Sequence, residues 1–259
     1  MKYTNIVSCH IGPDISPENF ISEHIFVFLL KGKIEGFDGH RKHILNVGEC
    51  CLITRNSLAR YSKYKYGSDF EKVVAILDAG YLRDYMSRYK LTAPDRSLAP
   101  TFIEIPPSAK LVGFIESLEP GNTALADSYH IRDALLSILL NDQPGLYNVL
   151  FDFRAPGKAD LQAFIHQNYK FKASLAQLAH LSGRSLSAFK RDFYAIFGET
   201  PGRWLTKRRL DEARFLLEQQ SIAASDLYLE LGFENLSHFS HAYKKRFGYP
   251  PSHTPNGSK

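Results

Sequence analysis

Apolar residues recur at two different spacings along this 259-residue chain, and the change comes near residue 78. Before it, "HIFVFLLKGKIEGF", "KHILNVGECCLIT" and "DFEKVVAILD" are short β-branched and aromatic runs punctuated by Lys-Gly-Lys and Val-Gly-Glu turns. Such runs predict strands, and strands this short and this closely spaced predict a small barrel or sandwich. After it, "GYLRDYMSRYKL" has helical composition, "PPSAKLVGFIESL" opens with proline as helix starts do, and "TALADSYHIRDALLSILLND" carries a helical stripe. Ile131, Leu135, Ile138 and Leu139 fall on one face of that last helix, as either core or a seam between two copies of the chain. Pro156-Gly157 then interrupts the pattern, with Asp160 placed to cap a following helix, "LQAFIHQNY". The pattern therefore divides the chain into residues 1–153 and a wholly helical part, 158–259.

Within the helical part the chain repeats itself. Shifting it by fifty positions superposes Leu181 on Leu231, Leu186 on Leu236, Ser187 on Ser237, Phe189 on Phe239, Phe197 on Phe247, Gly198 on Gly248 and Pro201 on Pro251, with Phe193 against Tyr243. Each copy reads as a short helix, a turn and a longer helix. Ser185 and Asn235 stand at the N-cap positions of the longer helices, and Gly198 and Gly248 at their C-terminal ends. That is the helix-turn-helix pattern, over 174–198 and 224–248. In the first copy Phe189, Phe193, Ile196 and Phe197 are spaced to face a core, leaving Ser187, Lys190, Arg191 and Tyr194 outward. In the second, Phe239, Tyr243 and Phe247 face in, and Ser237, Ser240, His241 and Lys244 face out. Residues 201–220 read as a linking helix. Roughly twenty residues make a rod of about 30 Å, against about 34 Å between successive major grooves on one side of B-DNA.

Charge sharpens this picture. The chain carries a net +5, with 17 Lys/Arg against 18 Asp/Glu up to residue 157 and 15 against 9 from residue 158 on. All the basic excess lies in the half that contains the repeat, which suits either a polyanion partner or a solvated face. Composition, 44% hydrophobic and 23% charged, describes a globular protein. The first twenty residues lack the apolar core of a signal peptide, and "IFVFLL" is far too short to cross a bilayer, so a cytoplasmic setting and no membrane partner are expected. Cys9, Cys50 and Cys51 make neither a disulfide framework nor a zinc quartet and read best as buried strand cysteines. His40 and His43, three apart, fall on opposite faces of a strand and read as polar turn residues rather than metal ligands. Tyr61, Tyr64 and Tyr66 supply aromatic material for a pocket or partner surface. No nucleophile–base pairing or phosphate-cradling glycine motif is present, so no catalytic residue, metal or cofactor is expected.

The stretch "RSLSAFKRDFYAIFGETPGRWLTKRRLDEARFLL" followed by "GFENLSHFSHAYKKRFGYPP" resembles the DNA-binding domain of AraC/XylS-type bacterial transcriptional regulators. The resemblance implies an all-α domain with two helix-turn-helix units that insert recognition helices into adjacent major grooves of double-stranded DNA. It implies base contacts from Ser187, Ala188, Lys190 and Arg191, then from Ser237, His238, Ser240 and His241. Arg203, Arg208, Lys244, Lys245 and Arg246 look like phosphate partners, with Arg208 equally able to pair with Asp211 or Glu212. His241 replaces an arginine common in the family, and the polar tail "PPSHTPNGSK" suggests a shortened last helix. The strand region resembles, more distantly, the cupin-like barrel that precedes this domain in many members. The implied protein is a two-domain α+β regulator whose first domain takes a small-molecule or protein effector, pairs with a second copy, or both, and whose partners include RNA polymerase. The other reading is a constitutive DNA binder whose barrel engages an anti-activator protein.

Overall fold

The computed structural model describes residues 6–8, 19–64, 70–95, 99–118, 128–219 and 223–254. Cys9, Tyr66, residues 123–127 of the expected helix, Gln220, residues 255–259 of the tail and most of the first twenty residues lie outside these. Contacts separate two compact units, one over Ile21–Arg154 and one from Ala155 onward, to which Asn19 and Phe20 also belong.

The strands are β1 (Ile6–Ser8), β2 (Phe20–Ile21, of which Ile21 falls in the first unit), β3 (His24–Lys31), β4 (Lys33–Phe37), β5 (Lys42–Leu45), β6 (Cys50–Ile53), β7 (Ser57–Leu58), β8 (Arg60–Tyr64) and β9 (Glu71–Leu77). After α1 (Ala79–Arg88) come β10 (Phe102–Ile105), α2 (Ala109–Glu116), α3 (Ser128–Asp142) and α4 (Leu146–Leu150). The strands pair in the orders β1-β9-β3-β6-β10, β5-β4-β8 and β2-β7. Among the described residues these ladders are open sheets, not one closed barrel. The reason lies at the end of β3, where the register against β9 shifts between Leu29 and Lys31 and the chain turns at Gly32 into the other sheet.

The apolar run of β3 is continuous because both its faces are buried. Phe26 and Phe28 pack with Leu52, Ala75 and the helices on one side, and Val27 and Leu29 with Ile34, Leu45 and Phe102 on the other. Leu135, Ile138 and Leu139 of α3 belong to the first of these cores, with Ile131 packed against it, so the stripe is internal and not a seam between copies. The helix at Ala109 is capped by Ser108, whose side chain accepts from the Leu111 amide, so the prolines precede the cap instead of entering the helix. Cys50 and Cys51 are buried on β6, and burial pushes both thiols up to about 12. His43 is buried too, with Nε2 2.7 Å from Asp38 Oδ2, whereas His40 is exposed. Contrary to the expectation of a polar turn residue, β5 carries His43 inward beside the Phe102 ring, 4.6 Å away.

The second unit is helical: α5 (Leu161–Asn168), α6 (Leu175–Leu181), α7 (Leu186–Phe197), α8 (Pro201–Gln219), α9 (Ala224–Glu230), α10 (Leu236–Phe247) and a 3-10 turn over Pro251–His253. Asp160 caps α5 by accepting from the Ala163 amide at 2.8 Å. Asn19 joins this unit by accepting from the Lys172 amide at 2.8 Å. Among the described residues no helix is long and apolar enough to cross a membrane.

One buried group in the first unit has a measurable consequence. His24, 2% exposed at the start of β3, accepts the Arg55 amide on Nδ1 and leaves Nε2 buried without a partner among the described residues. Burial first, and the nearby Arg55 charge second, push its pKa down from 6.5 to about 3. The unfolded chain therefore takes up a proton that the folded protein refuses. Its stabilisation is complete above the ordinary value and is lost as pH falls toward the folded one, at up to about 1.4 kcal/mol per pH unit. Urea unfolding at pH 7.5, 6 and 5 is expected to show this decline, and His24→Gln to flatten it.

Candidate nucleic-acid interface

The two longer helices of the repeat are built alike. Ser185 Oγ accepts from the Ala188 amide at 3.2 Å to open α7, and Asn235 Oδ1 accepts from the His238 amide at 2.7 Å to open α10. Gly198 and Gly248 close them in the left-handed region, at φ 69° and 87°. Phe189 and Phe193 are buried on α7, as are Phe239 and Tyr243 on α10. The rings form matching ladders, Phe193 to Phe197 at 4.3 Å and Tyr243 to Phe247 at 4.6 Å between centroids. In the first copy the ladder continues onto α8 through Trp204, 4.6 Å from Phe197.

The outward faces follow from this anchoring. Ser187, Lys190 and Arg191 are exposed on α7 with Ala188 half-buried; Ser237, His238 and His241 are exposed on α10 with Ser240 half-buried. Ile196 departs from its inward assignment and is 45% exposed. Phe197, one position on, packs against Trp204 and fills the space, which leaves Ile196 at the margin. Arg203, Lys244 and Lys245 are exposed. Arg208 and Arg246 are engaged within the protein. Arg208 lies 3.8 Å from Glu212 and over the Tyr169 ring, while Arg246 bonds Asp211 at 2.6 and 2.9 Å.

The copies are not offset by fifty throughout. The longer helices are, but the short helices α6 and α9, and the left-handed glycines after them, Gly183 and Gly232, are offset by forty-nine. The second turn is one residue longer, so Leu181 ends its helix whereas Leu231 is already the cap.

A model of a helix-turn-helix domain matches residues 175–256, and a model described as the ExsA N-terminal regulatory domain matches residues 24–139. The HTH-type transcriptional regulator ExsA of Pseudomonas aeruginosa is 25% identical over 261 residues, 97% of this chain and 93% of that protein. The thermoregulatory protein LcrF of Yersinia pestis is 35% identical over 123 residues, 47% of this chain and 45% of that protein. Among solved structures, ToxT from Vibrio cholerae aligns over 92% of this chain and 91% of its own, at 13% identity and a TM-score of 0.41. Over these residues the chain is similar to AraC-type transcriptional regulators.

The segment leading into the first helix-turn-helix unit and the turn of the second are joined by a residue that sequence reasoning passed over. Arg209, in the middle of α8, donates from Nε to Tyr169 O at 2.6 Å, from Nη2 to Phe171 O at 2.8 Å and from Nη1 to Gly232 O at 2.9 Å. Burial lowers its pKa to about 10, which still leaves it charged at neutral pH. Gly232 is required there, because at φ +75° a Cβ would lie 2.7 Å from Lys170 O. The only signal in the sequence was a basic run, "TKRRL", in which Arg208 and Arg209 are indistinguishable by composition. Arg209→Met strips three buried carbonyls of their donor and is expected to destabilise the second unit by on the order of 3 kcal/mol. Gly232→Ala is expected to cost about 1–3 kcal/mol through the strained backbone. Thermal unfolding followed by the Trp204 emission checks both.

Proposed function

We propose that this chain is a sequence-specific DNA-binding regulator that lays α7 and α10 into successive major grooves of one duplex. The observation that carries the reading is the duplicated outward face. Two equally capped helices, each held from behind by its aromatic ladder, present hydroxyl, ammonium, guanidinium and imidazole groups to solvent. Such groups bond to base edges. Base contacts are assigned to Ser187, Ala188, Lys190 and Arg191 from α7 and to Ser237, His238, Ser240 and His241 from α10. The 19 residues of α8 span about 28 Å at ~1.5 Å each, close to the repeat of the groove.

Arg203, Lys244 and Lys245 suit phosphate oxygens. Arg208 and Arg246 reach phosphate only by giving up Glu212 and Asp211, so they are weaker partners than their charge suggests. With a phosphate-binding share of this kind, affinity falls linearly with salt on logarithmic axes.

Control is assigned to the first unit, the part matched by a regulatory-domain model. Its two larger sheets line a cavity of about 230 Å³, walled by Ile25, Val27, Ile53 and Phe102, with Lys72 and Tyr61 also in the lining. An apolar interior between facing sheets supports the cupin-like reading and favours a small apolar effector over the anti-activator alternative. RNA polymerase and a second copy of the chain are the further partners this reading proposes.

Selection of bound duplexes from a random library, followed by anisotropy titrations of the full chain, tests the contacts. Lys190→Ala is expected to relax base preference in one half of the site and His241→Ala in the other, at ~1–3 kcal/mol each. Lys245→Ala is expected to weaken binding to all sequences alike and to reduce the salt slope by about 1. An unaltered preference in both base-facing variants sinks the assignment of these faces.

A further inference from the structure

Arg191 leaves the outward face of α7 with its side chain 76% exposed, yet its guanidinium is held. Nε and Nη2 both donate to Asp192 Oδ1, at 3.2 and 3.0 Å. The other carboxylate oxygen, Asp192 Oδ2, accepts from Arg184 Nε at 3.2 Å. Arg184 lies in the turn between α6 and α7 with its side chain only 8% exposed. Its Nη1 donates to Ala159 O at 3.0 Å and to Ser182 O at 2.7 Å. A continuous run of charge-assisted bonds therefore leads from buried backbone to the tip of an exposed arginine. Both guanidiniums, Arg191 first, hold the Asp192 carboxyl below its usual range, so it stays ionised.

We propose that Asp192, anchored by Arg184, is a positioning and specificity-determining residue that sets Arg191 to read a guanine. This rests on the base-contacting role assigned to Arg191 above. Two arguments carry it. The first is donor accounting. A guanidinium has five N–H groups, and Asp192 takes the edge formed by Nε and Nη2. The opposite fork, one hydrogen from each terminal nitrogen, stays open, and it matches the O6 and N7 acceptors of guanine. The second is entropy. An exposed arginine samples many rotamers and loses them on binding, whereas one ordered in advance loses fewer. A carboxylate on a face turned toward phosphates is otherwise unfavourable, which gives this one a reason to be there.

The device belongs to the first copy alone. Fifty residues on, Ala242 stands in the place of Asp192 and His241 in that of Arg191. The second turn carries Phe233 and Glu234 where the first carries Arg184. One half of the bound site is thus read by a clamped guanidinium and the other by imidazoles without a clamp.

The experiment is a double-mutant cycle on the full chain, read as relative affinity for duplexes differing at single positions. Arg191→Ala is expected to abolish a guanine preference at one position. Asp192→Ala is expected to reduce the same preference about five-fold, a coupling ordinary for contacting pairs, and to add nothing in the Arg191→Ala background. Asp192→Asn, nearly isosteric, supplies the same comparison if the alanine variant does not fold. If Arg191→Ala removes the preference while the Asp192 variants keep it, or weaken all duplexes equally, Asp192 is only a structural partner of Arg184 and the proposal falls. If Arg191→Ala itself leaves every preference unchanged, the failure lies instead in the assignment of Arg191 to a base.

Discussion

One guanidinium and three backbone carbonyls hold the helical unit in register. The carbonyls of Tyr169 and Phe171, just beyond α5, and of Gly232, in the turn after α9, converge on Arg209 of α8. Each would otherwise be a polar group removed from water with nothing to accept from, a cost that the half-buried guanidinium offsets with its three bonds. The bond set does more than satisfy the carbonyls. It joins the segment leading into the first helix-turn-helix to the turn of the second, across the helix that separates them. The same helix also carries the Trp204 contact to α7 and the Asp211 bonds to Arg246 of α10, so α8 packs against both longer helices.

Around this staple the two copies keep a common frame and diverge in their details. The frame is the aromatic ladder, the side-chain N-cap and the left-handed glycine, which together fix where each longer helix begins, ends and faces. The divergence lies in the turns and the outward residues. The second turn is longer by a residue, and the first alone contains the Arg184–Asp192–Arg191 chain. A duplicated scaffold can therefore present two unlike outward faces, because the anchoring side chains and the exposed side chains lie on opposite sides of one helix and change independently.

The first unit follows a different principle. Its central strand is buried on both faces, so a helix-backed core and a cavity-lining core share the same five-stranded sheet. Packing is dense on the helical side and open between the sheets, where the strand passes from one sheet to the other at Gly32. The walls of the cavity are the strands themselves, within the residues 24–139 that match a model described as a regulatory domain.

The period of apolar residues, the capping residues and the charge division were all legible in the chain as written. Strand against helix, the duplicated unit, the caps at Ser185 and Asn235 and the outward placement of Lys190 and His241 depend on neighbours within a few positions, and periodicity encodes those. What tertiary structure alone decided are choices among distant partners. Arg246 selects Asp211, thirty-five residues away, and Arg209, unlike the adjacent Arg208, turns inward to three carbonyls. Ile196 has an inward spacing and an exposed position because Phe197 took the space on Trp204. Asp192 clamps the residue just before it, although adjacent residues on a helix do not normally face one another; only long side chains bent over the same surface make that bond. The open sheets and the inward turn of His43 likewise depend on where a strand leaves its ladder. A one-dimensional pattern specifies which face a residue occupies, whereas the partner a long charged side chain finds there is set by segments folded in from elsewhere.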